Sequence, residues 1–577
     1  MRERNTTDQL RDAAVGDGTV AAVSVDDAPH RWAEATAASL PFGWLDAIEG
    51  VVRRMAKRPG FAIVLVAALG TLGSAAVALL VQWPEPRVFD EFGYLLSADT
   101  FAHGRLTNQP HPLWVHFESF NIIQQPTYNA KTPPGQGLVL ALGQVLFGHP
   151  LVGVWLSVGF MCGALCWMLF AWVPPTWAVL GGLLAVIQFG VTGYWAQSYW
   201  GGALYAGGGA LLFGGLRRVI ATTRPRDALL TAIGLGVLVT SRPFEAVVVG
   251  IPCAIVLAVA MLGRTGPPLS AVLRRVVTPM VLTLIPIVGA NLFYNYRVTG
   301  APLLMPYVVH EETYDPVPLF KWQRPRPEPV YNHQVMREYW AVKFPRLHSK
   351  KQRLTAMLRT VNMLRKFYLP DLQTVVVLLA LPWVLRDRWV RFATVTSGLL
   401  ILMLLSAAGL FRHYFAVATG LVLVLLVESL RQLGSWHWRG HTLRHLLVAM
   451  VVAVSIVSMV PRVRRSVVRP GEWYMQRARI LRQLQHDGKR HLVIVRYGPR
   501  HDPEHEWVYN EADIDRARVV WAREMDAAHN RALIDYFKDR SVWLLEPDQS
   551  GPAVKLAPYH REVEMERTSR IDTNGRV

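Results

Sequence analysis

Cysteine is scarce: 577 residues contain three. Cys162, Cys166 and Cys253 all fall inside apolar runs, so no disulfide framework stabilises the polar segments. Cys162 and Cys166 share a helix face, but no His or acidic residue stands beside them, and small packing residues are the better reading than a metal site. A Gly-rich phosphate loop is also missing, so no nucleotide is assigned. No signal peptide precedes the first apolar run, which is expected to remain as an uncleaved anchor. Acidic residues are outnumbered 42 to 61 by Lys and Arg. The excess lies between apolar runs and in the polar segments beside them, and nothing else supports nucleic acid as a partner.

Apolar sequence is what the chain has in quantity. Hydrophobic residues make up 51% of it and 20 are Trp, too apolar and too long for one soluble domain. The pattern predicts a polytopic α-helical membrane protein with about eleven transmembrane helices of roughly 17 to 24 residues. They are expected near 60–83, 150–173, 176–194, 201–219, 227–241, 244–263, 276–296, 371–386, 390–408, 412–431 and 444–461. The run "GQGLVLALGQVLFG" (Gly135–Gly148) is too short to cross and reads as a juxtamembrane helix.

With that run excluded, the short loops of one side carry Arg217, Arg218, Arg224, Arg226, Arg264, Arg274, Arg275, Arg386, Arg388, Arg391, Arg431, Arg439 and Arg444. The opposite short loops carry only Arg242 and Arg412. By the positive-inside bias the N-terminal segment 1–57, partly disordered and ending in "RRMAKR", is cytoplasmic. The transmembrane domain then covers 58–461. Its loops 84–149 and 297–370, and the tail 462–577, face outside. "RVRRSVVR" (Arg462–Arg469) runs against this bias, but long segments translocate largely regardless of charge. Within 297–370, "RLTAMLRTVNMLRKFYL" repeats apolar residues at helical spacing between arginines and reads as a basic interfacial helix. The tail alternates "HLVIVRY", "RVVWARE", "DAAHNRALIDYFKDR" and "SVWLLEP", the pattern of a small α/β domain.

"VFDEFGYLLSADTFAHGR" (Val88–Arg105) places adjacent carboxylates, Asp90 and Glu91, where the chain leaves the first span. On a helix beginning near Phe89, Asp90, Tyr94 and Ser97 share one face. Phe89, Phe92 and Leu96 share another, free to lie on the membrane or on the helical bundle. A plain alternative is N-terminal acids favoured by the helix dipole. Downstream, Trp114 offers a flat apolar face to a sugar ring, while His116, Glu118, Asn121, Gln124 and Gln125 offer donors and acceptors to hydroxyls. Lys131, just before Pro133 and Pro134, sets a cation at headgroup depth, where a lipid phosphate is its natural partner.

These motifs together, "DE" after the first span, "YLLSADTFAHGRLTN" and "KTPPGQGLVLALGQVLFG", resemble the C-type integral-membrane glycosyltransferases. That superfamily includes protein O-mannosyltransferases, aminoarabinose transferases and galacturonosyltransferases. Weaker matches are "TSRPFE" (Thr240–Glu245) and "FRHYF" (Phe411–Phe415). The resemblance implies a bacterial inner-membrane enzyme with its site outside, taking sugar from a polyprenyl-phosphate carrier for a glycolipid, polysaccharide or protein acceptor. It implies that Lys131, with Arg242, Arg412, His413 and Tyr414, meets the lipid phosphate. Asp90 would be the general base of an inverting transfer, with Glu91 binding acceptor or positioning Asp90. Tyr94, Trp114, His116, Glu118 and Gln124 would hold sugar or acceptor. No cofactor is certain, and a divalent cation on either carboxylate stays open. Two other classes remain: a transporter or flippase of lipid-linked sugars, although the spans hold few ionisable residues away from their ends, and a non-catalytic envelope scaffold.

Overall fold

A computed structural model describes residues 43–264, 266–347, 353–407, 411–438, 441–466, 471–549 and 554–559. Most of the polar N-terminal segment, together with Arg439 and Arg469, lies outside the described residues. The chain runs through α1 (Gly43–Ala56), α2 (Pro59–Leu80), α3 (Phe89–Ala102), α4 (Pro134–Phe147), α5 (Pro150–Trp172), α6 (Pro175–Ala185), α7 (Gly202–Thr222), α8 (Pro225–Val239) and α9 (Pro243–Leu262). It continues through α10 (Leu269–Thr299), α11 (Pro306–Tyr314), α12 (Arg353–Tyr368), α13 (Asp371–Val384), α14 (Arg388–Ser406), α15 (Arg412–Gly434) and α16 (Arg444–Arg464). Proline opens the first turn of α2, α4, α5, α6, α8 and α9, where its fixed φ suits a helix start and its missing N–H costs nothing.

Among the described residues, seven helices are long and apolar enough to cross a membrane: α2, α5, α9, α10, α14, α15 and α16. There are eight if α12 and α13, bent by 96°, count as one. The remaining expected spans are present as helices but are shorter or less apolar. α6 gives way to a π-helical turn at Val186–Gly190 and α8 has 15 residues. α7 is rich in glycine and buried on nearly every side, so it packs against neighbours rather than against lipid. The stretch read as juxtamembrane forms α4, 14 residues long.

Small residues set the helix spacing. Ala62, Val66, Gly70, Ser74 and Ala78 form the buried stripe of α2. A Cβ on Gly70 would lie 2.8 Å from Cys162 Sγ on α5, so the two helices approach as closely as backbones allow. Basic residues at helix ends are held locally: Arg217 lies over Trp389 at 4.4 Å and Arg444 bonds Glu49 of α1 at 2.9 Å.

The tail forms α17 (Trp473–His486), β1 (His491–Val495), β2 (Val519–Arg523), α18 (Ala527–Tyr536), β3 (Ser541–Leu545) and β4 (Leu556–Pro558). The sheet order is β2-β1-β3-β4, with β1 parallel to both neighbours and β4 antiparallel at the edge. The continuous apolar run of "LVIV" suits a central strand buried on both faces.

This domain corrects one expectation. The apolar face of α3 meets neither membrane nor bundle. Phe92 and Leu96 enter one core with Leu492, Ile494 and Tyr509. Phe92 stacks on Tyr509 at 4.0 Å and 2°, the Arg477 guanidinium lies 4.9 Å from the Phe92 ring, and Asp99 Oδ2 accepts from the Ala512 N–H at 2.7 Å. Aromatic stacking and a charged anchor give this face more than lipid tails would.

Candidate active-site pocket

The other face of α3 opens on a cavity of about 210 Å³. Asp90 and Tyr94 reach it from α3, Lys131 and Thr132 from the segment before α4, and Ser241 and Arg242 from the turn before α9. His413 and Tyr414 reach it from the start of α15. Residues more than 300 positions apart thus converge on one space.

Gly135 makes part of that convergence possible. Its N–H bonds the Thr240 carbonyl at 3.0 Å. A Cβ there would sit 2.0 Å from Ser241 Oγ, so only glycine lets the "KTPPG" and "TSRPFE" segments touch. That contact brings Lys131 and Arg242 to the same cavity.

The two cations differ. Arg242 Nε donates to Glu245 at 2.9 Å, and the guanidinium lies 3.7 Å from the Tyr414 ring centre. Lys131 is half-buried, with the Trp340 ring 5.3 Å away. Among the described residues its ammonium has no ion-pair or hydrogen-bond partner, while its backbone N–H bonds the Asn121 carbonyl at 3.0 Å. Polar atoms that are buried and without a hydrogen-bond partner among the described residues also line the cavity: Asn121 Oδ1, Thr132 Oγ1, Ser241 Oγ and His413 Nδ1. Native interiors rarely leave such atoms unpaired, and here four surround one void.

Burial pushes the Asp90 carboxyl above its usual range, and Lys131 and Arg242 pull it partly back. Glu91 points elsewhere. Its carboxylate accepts from the Arg87 and Val88 N–H groups at 2.9 and 3.3 Å and from the Tyr199 N–H at 3.0 Å. It caps its own helix and pins it to the chain before α7. The neighbours of the sequence pair therefore have opposite surroundings. Tyr94 lines the cavity and its hydroxyl meets that of Tyr205 at 3.0 Å.

Besides Glu91 and Gln125, five more residues singled out in the sequence lie outside the lining. Arg412 is exposed, 5.6 Å from the Tyr194 ring. Trp114 and His116 belong to a short 3-10 turn under the C-terminal domain, with His116 Nδ1 2.9 Å from the Arg523 carbonyl. Glu118 accepts from the Tyr314 hydroxyl at 2.7 Å and from Asn332 at 2.9 Å. Gln124 donates to the Phe117 carbonyl at 2.6 Å. Each of Glu118, His116 and Gln124 thus has a polar group bonded within the protein, while His116 Nε2 and Gln124 Oε1 have no hydrogen-bond partner among the described residues.

The cavity has residues that the sequence reading passed over. Glu311 and Asp315, at and just beyond the end of α11, line it opposite Ser241 and Arg242. Burial, above all, pushes the Asp315 carboxyl up to about 7 against the pull of the Val317 N–H and Lys131. Glu311 lies 3.5 Å from Arg326. Single acids in a proline-rich stretch carry no pattern, and only their position on α11 reveals them. Among the described residues no three His, Cys, Asp or Glu side chains gather as a metal site.

No protein-family model matches the sequence, and no curated protein matches it. Solved structures similar to it include ArnT from Cupriavidus metallidurans in the apo state, at 14% identity and TM-score 0.49, covering 84% of this chain and 92% of that one. ArnT bound to undecaprenyl phosphate gives 13% identity and TM-score 0.42, covering 88% of this chain and 93% of that one. The Archaeoglobus fulgidus oligosaccharyltransferase in the apo form gives 12% identity and TM-score 0.43, covering 84% of this chain and 69% of that one. The chemistry of the cavity rests on its own residues.

Proposed function

We propose that the protein is a membrane glycosyltransferase that moves a sugar from a polyprenyl-phosphate carrier to an acceptor hydroxyl on a glycolipid, polysaccharide or protein. The observation that carries this reading is the half-buried, unpartnered ammonium of Lys131 in the same cavity as Asp90 and four unpaired buried polar atoms. A cation that closes no ion pair with the acids around it suits the phosphate that leaves, and the unpaired Asn, Thr, Ser and His atoms suit a hydroxylated ligand. Asp90, its proton affinity raised by burial, takes the acceptor hydroxyl proton as the oxygen attacks the anomeric carbon. Attack from the face opposite the phosphate inverts that centre.

Glu91 positions Asp90 through the helix start, and Arg242, held by Glu245, supports the phosphate from the far side. His413 and Tyr414 line that same side. Glu311 and Asp315, with Tyr94, take the place in sugar or acceptor binding first given to Trp114, His116, Glu118 and Gln124.

The test uses purified protein with a polyprenyl-phosphate sugar. Lys131→Ala should weaken donor binding by roughly 10-fold or more, as for loss of a charge-assisted contact, with Lys131→Arg intermediate. Unchanged transfer by both variants across donor concentrations would refute the phosphate role. The basic end of the bundle is read as cytoplasmic and the cavity as outside. Accordingly Asp539→Cys should react with an impermeant thiol reagent in intact cells and Arg224→Cys should not. The reverse pattern would remove the lipid-donor argument.

A further inference from the structure

A second, larger space lies at the opposite end of the fold. The groove between α1, α2, α6 and α16 has a volume of about 1260 Å³. Its walls are almost wholly apolar, with Leu72, Trp177, Leu183, Val452 and Ile456 among them. From Arg444 to Ile456 the α16 wall runs ~18 Å at 1.5 Å per residue. One leaflet holds only ~15 Å of hydrocarbon, so an acyl chain fits along the wall.

Only one end of the groove is polar, and its charge is unbalanced. Glu49 of α1 bonds Arg53 at 2.6 Å, Arg444 at 2.9 Å and His445 at 2.6 Å. Lys57 borders the same end, exposed and without an ion-pair partner among the described residues. The lining thus holds one carboxylate and three permanent cations, a surplus of two positive charges in an otherwise apolar slot. A free phosphate would leave the slot empty, and a neutral lipid would leave the charge unmatched.

We propose that this groove binds an anionic glycerophospholipid, its phosphate against Arg53, Lys57 and Arg444 and an acyl chain between α2 and α16. The site is independent of the sugar-transfer reading, because it shares no residue with the Asp90 cavity. It ties α1 to the bundle through the lipid as well as through Glu49.

The experiment is native mass spectrometry of the full chain in a non-ionic detergent, titrated with phosphatidylglycerol or phosphatidylcholine of matched chains. Phosphatidylglycerol should be retained about 10-fold or more tightly over phosphatidylcholine, with each cation removed costing about 5-fold. Lys57→Gln disturbs no internal contact and Arg53→Gln alters only an exposed pair, so the double variant isolates the charge. A dihexanoyl phosphatidylglycerol, with the same headgroup and little chain, should bind weakly. Equal retention of the two long-chain lipids, an unchanged preference in the double variant, or full affinity of the short-chain lipid would each overturn the proposal.

Discussion

The loop that follows the first span has two sides with opposite chemistry. Toward the cavity stand Asp90, Asn121, Lys131 and Thr132, with an unpartnered ammonium and unpaired buried oxygens. Toward the C-terminal domain the polar contacts are mostly closed. Glu118 is bonded by Tyr314 and Asn332, its backbone carbonyl accepts from Arg523 Nε at 2.7 Å, and Arg523 is paired with Glu506. Both sides are polar and buried, so neither burial nor residue type separates them. The cavity does: His116 Nε2, Ser119 Oγ and Gln124 Oε1 are unpaired among the described residues on the domain side too but lie outside the cavity lining, whereas the unpaired atoms beside Lys131 belong to residues that line it, where a ligand can bond them.

The sharpest way to break this contrast is to orphan a partner on the closed side. Arg523 and Glu506 are 2% and 0% exposed in their side chains. Arg523→Met leaves Glu506 buried beside an apolar group and should cost ~3–5 kcal/mol. Lys131→Met breaks no ion pair or hydrogen bond, and the nearby Asp90 and Asp315 carboxyls, already raised by burial, can stay neutral, so it should cost only about 1 kcal/mol, as ordinary substitutions do. Thermal unfolding of the two detergent-purified variants tests this. Equal losses would mean that the open side is structural too.

Next in size is the acidic pair itself. Asp90→Asn keeps shape and capping ability but loses the proton acceptor, so sugar transfer should fall by roughly 10²-fold with folding retained. Glu91→Gln keeps oxygen for the Arg87 and Val88 N–H groups while losing charge, so it should lower thermal stability by ~1 kcal/mol and transfer less than its neighbour does. A Glu91 variant as inactive as Asp90→Asn, at equal stability, would make both carboxylates chemical.

Much of this was legible in the chain. The length and apolarity of α2, α5 and α9, and the shortness of α4, follow from local composition that needs no tertiary knowledge. Asp90, Lys131, Arg242, His413 and Tyr414 were named from motif order, and the fold brings them to one cavity. What failed to show was set by distant packing. Phe92 and Leu96 look as fit for lipid as for a protein core, and only a domain some 400 residues on decides. Trp114 and His116 look like sugar ligands until that domain covers them. α7 reads as one more span near 201–219, because sequence cannot tell glycine used for close helix contact from ordinary apolar filling.

Asp315 offers the smallest effect and the finest distinction, since it belongs to the open side yet was invisible in the sequence. Burial raises its carboxyl to about 7, against 3.8 for the unperturbed group. Between those values the folded chain holds a proton that the unfolded chain has lost. Stability from this group is therefore present below about pH 4 and is lost as pH rises through about 7. Asp315→Asn has no such proton. The thermal stability of wild type minus that of the variant should accordingly fall by roughly a few degrees between pH 5 and pH 8. An anionic or hydroxylated ligand that draws a proton or a hydrogen bond at Asp315 would change that slope when bound, whereas a carboxyl that merely supports the loop would not. Measuring the pair of melting curves with and without polyprenyl phosphate separates the two. A slope that is absent from the start would place Asp315 in water rather than in the cavity wall, and one that ignores the lipid would move it to the closed side of the comparison.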